Sequence, residues 1–213
     1  MDVVFEDPGP PNEEFARPSD HARLERTAAA LEPRGFSAVI ADDGAHAREL
    51  VLSAIPEGAE VHTALSETLA ELGLRAEIDE SGRYDSIRMG LGKLDRETQF
   101  REMRKLAAAP DYIVGSVHAI TDDGDILIAS GSGNQLGPHA YSAGKSILVV
   151  GHQKLVRDVE EGHRRIREYC FPREYVRMQG VGYPGTVLGK TLLMHHDYSD
   201  RITVILVPET LGF

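Results

Sequence analysis

The stretch Gly115-Ser-Val-His-Ala-Ile-Thr-Asp-Asp-Gly-Asp-Ile-Leu-Ile-Ala-Ser-Gly-Ser-Gly-Asn-Gln-Leu-Gly137 decides how this chain is read. It runs as a strand, a tight turn, a second strand and a Gly/Ser loop, which places a polar, adaptable backbone segment beside a rigid sheet. Asp123-Gly124 between apolar runs predicts a two-residue type I′ hairpin, because that turn needs φ > 0 at both central residues. In that register Asp122 pairs with Asp125, His118 faces Ala129 and Ser116 lies opposite Gly131. Alternation puts Ser116 and His118 on one face of the first strand. The small residues Gly115, Ser116, Ala119, Ala129, Ser130 and Gly131 leave room where a packed sheet usually carries Val, Ile or Leu.

Working outward, short apolar strands alternate with helices. Ser19 or Asp20 caps a helix to about Pro33, a strand follows at 37–41, and Asp43-Gly44 opens a helix ended by Pro56. Strand 60–64 leads to Ser66, which caps a helix closed by Gly73. From Arg75 to Lys93 the pattern weakens and predicts loops or a mobile cover. Asp95 caps a helix to about Ala109, strand 146–150 reads as core, and 156–169 as a charged amphipathic helix. Two strands, 192–195 and 202–208, flank the turn Asp197–Asp200. This alternation predicts an α/β fold with a largely parallel sheet.

The 213 residues suffice for a proper core, and no clear linker divides them. The expected organisation is a disordered, acidic, Pro-rich arm over residues 1–18 followed by one domain over 19–213. A net charge of -11 argues against nucleic acid or an anionic membrane as the main partner, so any anion site must be local. No apolar run approaches the roughly 20 residues of a membrane span. The single cysteine, Cys170, excludes an internal disulfide and a Cys-ligated cluster built by this chain, and with the lack of a signal peptide it points to the cytoplasm. No cofactor motif is present; the oligomeric state is left open.

Several constellations carry chemistry. Ser130, Gly131, Ser132, Gly133, Asn134 and Gln135 form a loop whose N–H groups can converge on a carboxylate or phosphate, yet it matches neither a Walker loop nor a dinucleotide fingerprint. A plain tight connection is the competing reading. Lys154 follows the carboxyl end of a core strand, the edge where open α/β sheets hold ligands, whereas Lys145 lies at the opposite edge. Ser66 and Thr68 open a helix after another strand and are second candidate anion contacts besides serving as caps. Thr121, at the hairpin, is a further candidate ligand contact. His118 is the candidate proton carrier, weighed against a hydrogen-bonded core histidine. His195-His196-Asp197 is set aside as a metal site, since neighbours on a strand point to opposite faces. A Ser116/His118/Asp122 triad is disfavoured because no nucleophile elbow is present.

The blocks Gly115–Gly124, Ile128–Ser130 with its Gly loop, Val149-Val-Gly-His-Gln-Lys-Leu-Val156, Arg164-Arg-Ile-Arg167 and the tail Arg201–Phe213 together resemble the LUD-domain family, in particular stand-alone lactate utilization proteins. Pro56–Val61 and Ser66–Leu69 extend the resemblance, which runs from about Ala38 to the C-terminus. It implies a Rossmann-like α/β sheet with an inserted β-hairpin, similar to glucosamine-6-phosphate isomerase, ribose-5-phosphate isomerase and CoA transferases. It further implies a part in oxidising lactate, as a non-redox-active subunit beside iron-sulfur partner proteins, and the loop and Lys154 reading adds that this subunit binds a small anion. The resemblance supplies no assigned catalytic residue. Two other readings stay open: an independent sugar-phosphate isomerase or CoA-ester transferase or hydrolase, and a non-catalytic interaction protein. The former needs a carboxylate in the pocket, and Asp122, Asp123 and Asp125 lie about 10 Å or more along the strand from Ser116.

Overall fold

Gly124 sets the hairpin, though in a different register from the one expected. In the computed structural model, which describes residues 5–213, Gly124 takes φ +86° whereas Asp123 does not enter the left-handed region. A type I′ turn is thereby excluded. Gly124 N–H donates to Thr121 O and Thr121 N–H to Asp125 O, both at 2.9 Å, giving a three-residue loop that closes on a left-handed glycine. The strands β5 (Ala119–Thr121) and β6 (Ile126–Ser130) therefore pair Ala119 with Leu127 and Ile120 with Ile126. His118 no longer faces Ala129 as expected; its N–H donates to Leu127 O instead.

The expected first strand is also two strands. Tyr112–Gly115 forms β4 of a six-stranded sheet, whose other members are β1 (Ser37–Ile40), β2 (Glu60–Thr63), β3 (Asp85–Ser86), β7 (Lys145–Gly151) and β10 (Ile202–Val207). All its pairings are parallel, in the order β1-β10-β7-β4-β2-β3. A second, four-stranded sheet runs β8-β5-β6-β9, with β8 at Leu155–Val156 and β9 at Lys190–Met194. Ser116, Val117 and His118 carry the chain from β4 into β5. A one-turn 3-10 helix, His152–Lys154, carries it from β7 into β8. Since β4 neighbours β7 and β5 neighbours β8, these two three-residue connectors run side by side.

Apolar burial joins the layers. Ile120, Ile126 and Ile128 of the small sheet share one core with Leu148, Val150, Val204 and Leu206 of the large sheet and with Leu24 and Leu31 of helix α1 (His21–Leu31). The other face of the large sheet packs on α2 (Gly44–Ala54), α3 (Glu67–Glu71) and α4 (Leu74–Glu80) through Val51, Leu69 and Ile78. The helix starts follow their caps: the side chains of Asp20, Asp43 and Ser66 accept the N–H groups of Arg23, His46 and Leu69.

Several expectations are corrected. Residues 75–93 contain helix rather than a loose cover: α4 buries Leu74 and Ile78 one turn apart, and Ser86 caps α5 (Ile87–Leu91). Asp95 closes a separate turn, accepting Glu97 N–H, and α6 begins only at Phe100 (Phe100–Ala108). The helix expected over 156–169 is α7 (Val159–Arg165), which runs through a π-turn at Ile166–Cys170 into α8 (Phe171–Gly180). Pro172 follows directly on the π-turn and does not stop the helical segment. β9 and β10 belong to different sheets. Of the expected N-terminal arm, residues 1–4 lie outside the described residues, while Asn12 N–H donates to Glu168 O and Glu13 accepts from Arg173. Those contacts hold this part of the arm against the helical segment.

Candidate functional site

The carboxyl ends of β2, β4 and β7 open on a cavity of about 370 Å³. That is the crevice where parallel α/β sheets hold ligands, because the strand ends leave backbone and connector side chains unpaired by the sheet. Each strand delivers candidates: Ser66 after β2, Ser116 and His118 after β4, Lys154 after β7. Ser130, Gly131, Ser132, Asn134 and Gln135 line it as well, as do Thr186, Val187 and Leu188.

Lys154 is the centre of this arrangement. Its side chain is 1% exposed, and Nζ donates to Thr68 Oγ1 at 2.8 Å and to Ser116 Oγ at 3.0 Å. Both acceptors have already committed their protons, Thr68 to Leu211 O at 3.1 Å and Ser116 to Val149 O at 2.7 Å. Leu211 reaches this position because Gly151 lets the C-terminal segment cross β7: a Cβ there would meet Glu209 O and Leu211 N at 2.8 Å. Gln153 fastens the same segment by donating to Leu211 O at 2.9 Å. Among the described residues no carboxylate lies within ion-pair distance of Nζ. Burial, followed by the nearby Arg165 guanidinium, lowers the amine to about 7, against smaller raising effects of Cys170 and Glu71.

His118 has a fixed role. Its Nδ1 accepts Ala129 N–H at 3.0 Å, so the neutral ring carries its proton on Nε2. Burial, then Lys154 and Arg165, lowers its pKa to about 3. The expected proton carrier is therefore a neutral hydrogen-bond donor at neutral pH, since two cations and desolvation oppose the imidazolium.

The remaining candidates divide. Thr68 lies behind the cavity wall as a partner of Lys154, and Ser66 is both helix cap and lining residue. Gly133 lies outside the lining, folded against the aliphatic part of Lys190. Thr121 is not brought to the site: it is buried in the hairpin, where its hydroxyl accepts Asp125 N–H. The turn carboxylates are engaged elsewhere, Asp122 with Arg23 and Asp125 with Arg34 and His195. The carboxylates that line the cavity, Glu67 and Glu174, both face Arg177. His195 and Asp197 are held apart by Asp125 and Arg201, and no cluster of three metal-ligating side chains occurs among the described residues.

Arg165 was not expected. Fully buried on α7, it donates from Nη1 to His118 O and Cys170 Sγ, while its Nε and Nη2 have no protein acceptor. No carboxylate pairs with it among the described residues. The sequence holds a signal for it: Gly162, Arg165, Ile166 and Tyr169 recur at helical spacing, and all four are buried. Gly162 packs against Leu127, which drives this face of α7 onto the small sheet.

A family model described as the LUD domain matches residues 24–207. No curated protein matches the chain. Among solved structures, it is similar to a DUF162 family protein from Deinococcus radiodurans at 15% identity and a TM-score of 0.48, over 89% of this chain and 99% of that one.

Proposed function

The chain belongs to the LUD-domain family, and from that membership and the chemistry of the cavity we propose that it binds a small carboxylate, a 2-hydroxy or 2-oxo acid such as lactate or pyruvate. In this reading it acts in lactate utilization as a cytoplasmic subunit, beside iron-sulfur partner proteins that carry the electrons. The ligand's carboxylate takes the third N–H of the Lys154 ammonium and the Nε2–H of His118. Ser130, Asn134 and Gln135 supply further polar contacts from the Gly/Ser loop.

One observation carries the reading. Two buried cations, Lys154 on the cavity lining and Arg165 bonded to the backbone oxygen of the lining residue His118, have no carboxylate partner among the described residues. An unpaired buried charge costs several kcal/mol, and a bound anion offsets that cost. Isomerase or CoA-ester chemistry, by contrast, needs a carboxylate directed at the substrate, and Glu67 and Glu174 are shared with Arg177 at the rim.

Isothermal titration and thermal-shift measurements with lactate, pyruvate, inorganic phosphate, ribose 5-phosphate and CoA test the ligand. The expected outcome is saturable binding of the small acids and a raised melting temperature. No response to any of them removes the anion reading. Co-purification with iron-sulfur proteins of a lactate-oxidising complex tests the subunit role separately.

A further inference from the structure

We propose that Lys154 is a covalent site, its amine condensing with the carbonyl carbon of a small 2-oxo acid to form an imine. The proposal rests on the small-acid reading of the same cavity and adds a reaction to it.

The donor count around Nζ supplies the geometry. In the free amine the two N–H groups go to Thr68 Oγ1 and Ser116 Oγ, at 2.8 and 3.0 Å. Neither oxygen can donate back, because Thr68 gives its proton to Leu211 O and Ser116 gives its own to Val149 O. The nitrogen lone pair is thus left without a protein donor, on a side chain that lines the cavity. A solvated lysine keeps its lone pair protonated at neutral pH; a desolvated one next to another cation does not, which is how amines become nucleophiles in proteins. Arg165 is that second cation, and the resulting pKa of about 7 leaves a large fraction of Lys154 as free amine.

The reaction balances without an oxidant or reductant. The lone pair forms the C–N bond as the carbonyl π electrons move to oxygen, and one nitrogen-bound proton passes to that oxygen to give a carbinolamine. Loss of the hydroxyl with the second nitrogen-bound proton releases one water and leaves the neutral imine, which takes a proton from solvent to become the iminium. The adjacent carboxylate of the acid faces the same positive field that holds it in the non-covalent complex.

The other lysines, Lys93, Lys105, Lys145 and Lys190, are all exposed and serve as internal controls. The full chain is incubated with pyruvate and sodium cyanoborohydride, then analysed by intact mass and peptide mapping. A single reduced adduct confined to Lys154, absent with lactate and lost in K154R, is expected. Pyruvate that raises the melting temperature but leaves no adduct, or adducts spread over the exposed lysines, overturns the covalent site while leaving anion binding intact. Failure of lactate, pyruvate and phosphate alike to shift the melting temperature counts instead against the small-acid reading. Because the mapped adduct is read on the unmodified chain, the outcome does not depend on K154R folding.

Discussion

Ser116 Oγ sits 3.0 Å from Lys154 Nζ, and this contact ties together two adjacent connectors that cross between the sheets. It also fixes the polarity of the site: the serine accepts from the amine because its own proton goes to Val149 O. What the site does with an anion, a carbonyl or a proton follows from that arrangement.

Lys154 leaves a mark on stability. Its pKa is about 7 in the folded chain against 10.5 unfolded, so between those values the unfolded state binds more protons. This group's contribution is fully present above 10.5 and is lost as pH falls through about 7, with a slope of at most about 1.4 kcal/mol per pH unit. K154M is expected to flatten that part of the curve, measured as urea-unfolding free energy across a pH series.

The protonation of His118 makes a second, contrasting prediction. With its pKa lowered to about 3, it stays neutral throughout the range in which anion binding is measured. Affinity for lactate is expected to follow one proton, that of Lys154 near 7, with no second step contributed by His118. H118N, which removes the Nε2–H donor, is expected to weaken binding roughly tenfold or more, as for a hydrogen bond to a charged group. Titration calorimetry across pH checks both; a step near 6.5 that vanishes in H118N contradicts the assignment.

Gly131 joins two cavity walls. A Cβ there would come within 3.2 Å of Val187 O and 3.3 Å of Thr186 Oγ1. G131V adds branched carbons beyond that point and is expected to part the loops, lowering small-acid affinity by about tenfold, or about 1.4 kcal/mol. Global stability is expected to change by less than about 1 kcal/mol, since both loops are partly exposed surface. Calorimetry and urea unfolding separate the two effects.

Removing the charge of Arg165 acts on its neighbour. Arg165 is the largest electrostatic influence lowering Lys154, so R165M is expected to move the Lys154 titration upward from about 7, read from its side-chain NMR shift. The same change leaves His118 O without its donor and costs about 1–3 kcal/mol in urea unfolding. An unchanged Lys154 titration in a folded R165M argues against electrostatic coupling.

The strand and helix pattern was largely legible because many elements begin or end at a local punctuation mark: Asp43-Gly44, Ser66 and Gly73 act where their chemistry predicts. So was Lys154, whose place after a buried strand is a matter of topology. The hairpin register was not, because Asp-Gly fits both a two-residue and a three-residue loop, and the choice is made by Thr121, whose hydroxyl accepts Asp125 N–H. Thr121 itself was misassigned to the ligand for the same reason. Arg165 was only weakly signalled: it shares a helical stripe with Gly162, Ile166 and Tyr169, but in a helix written Glu-Glu-Gly-His-Arg-Arg its burial depends on Gly162 meeting Leu127, a contact between residues distant in sequence. The short helices α4 and α5 escaped because one or two buried residues each give too little periodicity to read.

The paired connectors have a mechanical consequence. Of the crossings between the two sheets these two lie side by side, and Ser116, His118 and Lys154 are mounted on them. A molecule that grips both at once acts as a cross-brace at the joint, so its grip is felt as slower amide exchange in Ala119–Thr121 and Leu155–Val156, outside the cavity. Occupancy is thereby passed to the two strands of the smaller layer that directly follow the connectors.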